Sequence, residues 1–143
     1  MILCDANLLL YAYNVDAADH VKAKEWLEGE LSNPSLFGLS WQTITAFIRI
    51  STNHRAFPHP LTIDEAVNIV SSWLERPQCR VLTETEQHWD ILAELLAKEK
   101  AVGPLVMDAH LAALAVEHGA MLATTDRDFA RFTGLKITNP LAS

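Results

Sequence analysis

The stretch "MDAHLAALAVEHGAMLATTDRDF", residues 107–129, decides the fold. Its first part, rich in alanine and leucine, opens on Asp108 and closes at Gly119, the pattern of a helix with a glycine stop. The run "AMLATT" that follows is short and apolar, as a buried strand is. Two aspartates, Asp126 and Asp128, then stand one residue apart where the strand gives way to a helical turn at "DRDFARF". A helix, a glycine, a buried strand and an acid at its end make one unit of a parallel sheet covered by helices.

Working outward, the same grammar repeats. "MILC" reads as a short buried strand ended by Asp5, with "ANLLLYAY" as the helix it opens. "DHVKAKEWLEGEL" has helical spacing; "SLFGLS" is a second strand, and "SWQTITAFIRISTN" a helix capped by Ser40. "TNHRAFPHP" is a loop, since Pro58 and Pro60 block regular structure. Thr62 with Glu65 three residues later forms a capping box for "LTIDEAVNIVSSWLE". "CRVL" is a third strand, "ETEQHWDILAELLAKEK" an amphipathic helix, and "LKIT" a final strand. The expectation is one α/β domain over residues 1–143, with a mostly parallel central sheet of four to five short strands between layers of helices.

Composition narrows the function. Half of the 143 residues are hydrophobic, and Cys4 and Cys79 are too few for a disulfide framework, which fits a reduced, cytoplasmic setting. No run approaches a membrane span, and Asp5 interrupts the apolar N-terminus, so neither an anchor nor a signal peptide is read. The net charge of −7 argues against a general polyanion binder. Any nucleic-acid contact must rest on a local basic patch or a bound cation.

Acids at the carboxyl ends of parallel strands face the place where open α/β sheets bind ligands. If the strands neighbour one another, Asp5, Asp126 and Asp128 converge, and the helix opened by Asp108 points its carboxylate into the same crevice. Each acid also stands where an N-cap belongs. Converging carboxylates repel each other unless a cation relieves them, and a hard divalent ion, Mg²⁺ or Mn²⁺, suits an all-oxygen site. Such an ion activates water and stabilises charge on a phosphodiester. No supported nucleophile, glycine-rich phosphate loop or HExxH competes with that chemistry.

The segments "ILCDANLLLYAY", "MDAHLAALAVEHGAMLATTDRDFARF" and "LKITNPL", with "GLSWQTITAFIRISTNHRAFPHPLT" between them, together resemble the PIN-domain family, specifically its VapC toxins. The likeness covers nearly the whole chain. It implies a PIN-like three-layer α/β/α fold and a Mg²⁺-dependent endoribonuclease, with Mn²⁺ able to substitute. It also implies a homodimer and inhibition by a cognate VapB-like antitoxin. By position, it assigns Asp5, Asp108 and Asp126 to the metal and to catalysis. Asn7, Thr125 and Asp128 support them, with Asp128 a helper or a cap. The chain departs from the family at Ala46, where many PIN domains carry a glutamate just before the phenylalanine of the middle helix. That departure leaves room for one metal rather than two, or for a catalytically impaired metal- and RNA-binding regulatory module.

The loop residues Arg49 and Arg55, with Arg127 beside the acids, are candidate contacts for RNA phosphate. His110 lies two residues from Asp108 on one helix, a spacing that does not pair them, and reads as structural. Trp26, Trp41, Trp73 and Trp89 fall in or beside helical patterns and read as core or interface anchors.

Overall fold

The structure, a computed structural model, describes residues 1–142. Five short strands, β1 (Ile2–Cys4), β2 (Phe37–Leu39), β3 (Cys79–Val81), β4 (Met121–Ala123) and β5 (Ile137–Thr138), form one sheet in the order β3-β2-β1-β4-β5. Every pairing is parallel. Six helices accompany it: α1 (Ala6–Tyr13), α2 (His20–Ser32), α3 (Trp41–Ser51), α4 (Ile63–Leu74), α5 (His88–Glu99) and α6 (Pro104–Glu117). A short 3-10 helix, Arg127–Arg131, follows β4.

The pleat divides the core into two layers. Cys4, Phe37, Leu39 and Ala123 face one layer with residues of α1 to α4, while Leu3 and Leu122 face the other with α6 and Phe129. This period-two alternation in a sheet buried on both sides is why each strand reads as continuously apolar. The result is the three-layer α/β/α arrangement the sequence led us to expect, with all five strands parallel. No helix among the described residues is long and apolar enough to cross a membrane.

The caps follow sequence closely. The Ser40 hydroxyl accepts the Thr43 N–H, and Thr62 with Glu65 completes the reciprocal capping box of α4. Gly119 adopts φ +64°; its N–H bonds Val116 O at 3.1 Å and the next N–H, of Ala120, bonds Ala115 O at 2.9 Å. That Schellman closure sends the chain directly from α6 into β4. Gly38 is required for a different reason, because a Cβ there would stand 2.9 Å from Leu82 Cδ1 and 3.0 Å from Ile2 O.

Two expectations are corrected, and a third divides between its alternatives. α6 opens at Gly103-Pro104 rather than at Asp108, since proline's fixed φ suits a first helical position and Asp108 falls a turn further in. α5 begins at His88, and "ETEQ" precedes it as a turn in which the Thr85 hydroxyl accepts the Gln87 N–H. Among the tryptophans, Trp73 is buried against Tyr13 and Phe47, whereas Trp41 (55% exposed) and Trp89 (67%) are outside the core.

Candidate active site

The chain runs from β1 through β2 to β3 on one side, then crosses to place β4 on the other side of β1. That reversal makes the carboxyl ends of β1 and β4 the switch point where α/β sheets hold ligands. Asp5 follows β1 directly, and its N–H bonds Ala123 O at 2.9 Å, carrying the β1–β4 pairing up to the acid itself. Thr124 extends β4 by one residue, its N–H bonded to Thr138 O at 3.0 Å.

Thr124, 1% exposed, is the hub of the crevice. Its hydroxyl donates to Asp5 Oδ2 at 2.7 Å and accepts from the Asp126 N–H at 3.0 Å and from Asn7 Nδ2 at 3.4 Å. Asp5 Oδ1 accepts the Ala6 N–H at 2.8 Å as the N-cap of α1. Asp126 Oδ1 accepts the Asp128 N–H at 2.9 Å as the cap of the 3-10 helix. Asp5 and Asp126 therefore do cap, as acids at those positions are expected to. Asp108 does not: it sits inside α6, where no orphan N–H needs it.

The acids act on one another electrostatically. Burial raises the Asp5 carboxyl above the ordinary carboxylate range, and the charge of Asp126 adds to that, against the lowering pull of the Thr124 and Ala6 hydrogen bonds. Burial also raises Asp108, followed by the charges of Asp126, Asp5 and Asp128, with Arg131 alone opposing. Carboxylates from β1, α6 and the end of β4 thus share one field. Asn7 Oδ1 is buried nearby with no partner, an oxygen left without a donor.

This donor set fits a hard cation bound through carboxylate and water. It is all oxygen, and its charges repel in the absence of a counter-ion. Among the described residues no three His, Cys, Asp or Glu side chains are gathered closely enough to enclose an ion between them. Mg²⁺, which takes one or two carboxylates and retains several waters, does not demand such a cage.

Two expectations about supporting residues change. The hydroxyl that binds the acids belongs to Thr124, whereas Thr125 lies beside it, lining a hollow of about 330 Å³ with Asp126, Arg127 and Asn139. The pleat explains the miss: of two adjacent threonines at a strand end, only one turns inward. Arg127 is exposed at this hollow, and the charge of Arg131 acts to lower Asp108. Arg49 and Arg55 separate. Arg49 lines a second hollow with Ala46 and Met107, while Arg55 is exposed in a turn whose backbone bonds Asn53 Oδ1.

His110 is engaged by His88 and by Glu84, whose Oε1 is 3.3 Å from its Nε2. Its Nδ1 is 2.9 Å from His88 Nε2, and His88 Nδ1 is 2.5 Å from Glu117 Oε2, whose side chain is wholly buried. Glu117 Oε1 also accepts the Thr85 N–H at 2.7 Å. This chain of polar contacts fastens the turn before α5 to α6, the structural role expected of His110.

Comparison with known proteins agrees with this fold. The PIN domain family matches residues 2–135. Ribonuclease VapC37 of Mycobacterium tuberculosis is 42% identical over 142 residues, 99% of each chain, and Ribonuclease VapC33 of the same organism is 37% identical over 141, again 99% of each. In fold, the chain resembles VapBC-1 from nontypeable Haemophilus influenzae (TM-score 0.69, 22% identity, 99% of this chain and 100% of that one). It also resembles Mycobacterium tuberculosis VapC20, a sarcin-ricin loop cleaving toxin (TM-score 0.67, 21% identity, 95% and 99%). A family match over almost the whole length, with relatives up to 42% identical over 99% of the chain, leads to one conclusion: the chain belongs to the PIN-domain family, among the VapC ribonucleases.

Proposed function

We propose that this protein is the toxin of a toxin–antitoxin pair, an endoribonuclease that hydrolyses RNA phosphodiester bonds with Mg²⁺, for which Mn²⁺ substitutes. The observation that carries the reading is the binding of Asp5 and the Asp126 N–H by one buried Thr124 hydroxyl, with Asp108 raised first by burial and then by the charges of Asp126 and Asp5. Asp5 and Asp108 would hold the ion, with Asp126 binding directly or through water. When bound, the ion supplies an activated water and offsets the charge that builds on the phosphate.

The chain's own residues do the positioning. Thr124 and the Ala6 N–H hold the two Asp5 oxygens, fixing the carboxylate at the end of β1. Asn7 supports Thr124 and offers its free oxygen to the crevice. Asp128 keeps the 3-10 turn closed on Asp126. Arg127, Arg131 and Arg49 supply cations that would draw the RNA backbone against a net negative surface.

An antitoxin of the VapB kind is the partner this reading expects. The apolar groove between α1 and α2, lined by Tyr13, Val15, Leu27 and Leu31, is surface such a segment would cover. A homodimer is the expected assembly, supported by exposed Trp41, Val102 and Val106 at the N-terminal ends of α3 and α6. Ala46 favours a second reading, a binding module without turnover.

Purified protein freed of antitoxin, incubated with total RNA in Mg²⁺, Mn²⁺ or EDTA, decides between them. Discrete cleavage that requires the ion and disappears in Asp5→Asn and Asp108→Asn is the expected result. Binding of Mn²⁺ without cleavage of any RNA would establish the second reading instead.

A further inference from the structure

One side of α3 carries a ridge with a hollow beside it. Trp41, Thr45 and Arg49 follow one another at intervals of four residues, so they stack on one face of the helix, and all three are exposed. The hollow, about 490 Å³ between α3 and α6, is lined by Gln42, Thr45, Ala46, Arg49 and Met107. Met107, 50% exposed, leaves it open to the surface, and Asp108 is the next residue in the chain. Shape, register and charge fit this face to a second copy of itself.

Trp41 is the knob. It is 55% exposed, a large apolar side chain that its own chain leaves uncovered. The hollow is the hole, wide enough to admit an indole. Ala46 presents a single methyl there, which lets a facing helix come close, where a glutamate would fill the space with charge. The Thr45 hydroxyl is turned back onto its own helix, 2.8 Å from Trp41 O, so the middle of the ridge asks nothing polar of a partner.

An isologous contact requires that when residue i meets residue j, j also meets i. Trp41 and Arg49 stand one turn to either side of Thr45, so two antiparallel α3 helices crossing at Thr45 set each Trp41 against the other Arg49. Arg49 carries the only charge among Trp41 and the lining residues. Parallel helices would press it onto its own copy, like charge on like. The antiparallel pair lays each guanidinium on an indole face, which attracts a cation. It also holds the two arginines about 12 Å apart, beyond a Debye length.

We propose that two copies pack α3 antiparallel about a two-fold axis at Thr45, and that Trp41 of the partner subunit fills the hollow and completes each acid crevice on the Asp108 side. The inference rests on the homodimer and ribonuclease readings above, and adds to them a register and a shared site. With the indole seated, bulk water is kept from the hollow, and the lower dielectric strengthens the field of the neighbouring acids. Arg49, stacked by its flat face, keeps the N–H groups of its edge for a phosphate.

Cysteine cross-linking reads the register, because Cys4 and Cys79 are buried and the substituted positions are exposed. Under mild oxidation Thr45→Cys should link two subunits on the axis, whereas Arg49→Cys, about 12 Å from its copy, should not. Trp41→Ala should raise the dimer dissociation constant at least about thirtyfold in sedimentation, and Arg49→Ala about two- to fivefold. Mixing reads the shared site. Trp41→Ala lacks the indole in both crevices and Asp108→Asn lacks the acid in both, so each should cleave RNA poorly alone. Mixed above their dissociation constants, half of the dimers are hybrids with one whole crevice in two, so about one quarter of the parental cleavage should return.

A dimer that links through Arg49→Cys, or that fails to link through Thr45→Cys, overturns the register. Trp41→Ala protein that dimerises and cleaves like the parent overturns the shared site, as does a mixture that recovers nothing. A parent chain that stays monomeric at every concentration removes the homodimer reading along with both. Linking at Thr45 in a protein that never cleaves RNA supports the register and removes the ribonuclease reading alone.

Discussion

The Thr124 hydroxyl donates to Asp5 Oδ2 at 2.7 Å across 119 residues of sequence. It also accepts the Asp126 N–H, so one buried side chain sets the spacing of two acids that would act on the same phosphate. Thr124→Val keeps the shape but removes these bonds and the one from Asn7. It should cost about 1–3 kcal/mol of stability and lower RNA cleavage by more than tenfold, while Thr124→Ser retains most of each. Cleavage rates and urea unfolding of the two variants check this; a Val variant as active as the parent would remove Thr124 from the site.

The raised acids set a pH dependence. A group whose folded pKa lies above its unfolded value contributes stability that is fully present below the unfolded pKa and lost as pH rises through the folded one. For Asp5 and Asp108 that window opens at the ordinary carboxylate range and extends upward. Metal-free protein should therefore show a declining Tm contribution over that range, and Asp108→Asn should be the more stable chain at neutral pH. Added Mg²⁺ should raise Tm more at neutral than at acid pH. Thermal melts across pH, parent against variant, give the sign directly.

Glu117 should matter to the scaffold and little to the chemistry. Its buried carboxylate accepts from Thr85 N–H and meets His88. Glu117→Ala leaves those groups unpaired and should cost about 1–3 kcal/mol, seen as a lower urea midpoint. Cleavage per folded molecule should stay near that of the parent. A stable Glu117→Ala protein that cannot cleave would show the network reaching the acids through His110.

Gly38→Ala tests the sheet. The added methyl meets Leu82 Cδ1 and the Ile2 carbonyl, which belongs to β1. Overpacking of this kind costs about 1–3 kcal/mol, and because β1 carries Asp5, cleavage should fall along with stability. Equilibrium unfolding that shows no loss would mean β1 and β2 can move apart freely.

Much of this was legible in the chain. Asp5, Asp126 and the glycine stop at Gly119 are local signals: a short apolar run, then an acid, or a helix, then a glycine. Neighbouring strands were a condition the sequence could state but not supply, because β1 and β4 meet only through the crossover. Asp108 feels the charges of Asp126 and Asp5, but not as the first residue of its helix. It looked like a cap, and Pro104 had already started the helix. Thr124 was hidden beside Thr125 because nothing in two identical letters says which one the pleat turns inward.

The strand order has a consequence for synthesis. β4 lies beside β1, yet it is made only after β2, β3 and all six helices. A growing chain can bury most of its first core layer with Asp5 in place, but it has neither Thr124 nor Asp126 to set against it. On the proposed toxin reading, the site is completed only as the last strands dock, so an antitoxin is needed from that moment and not before.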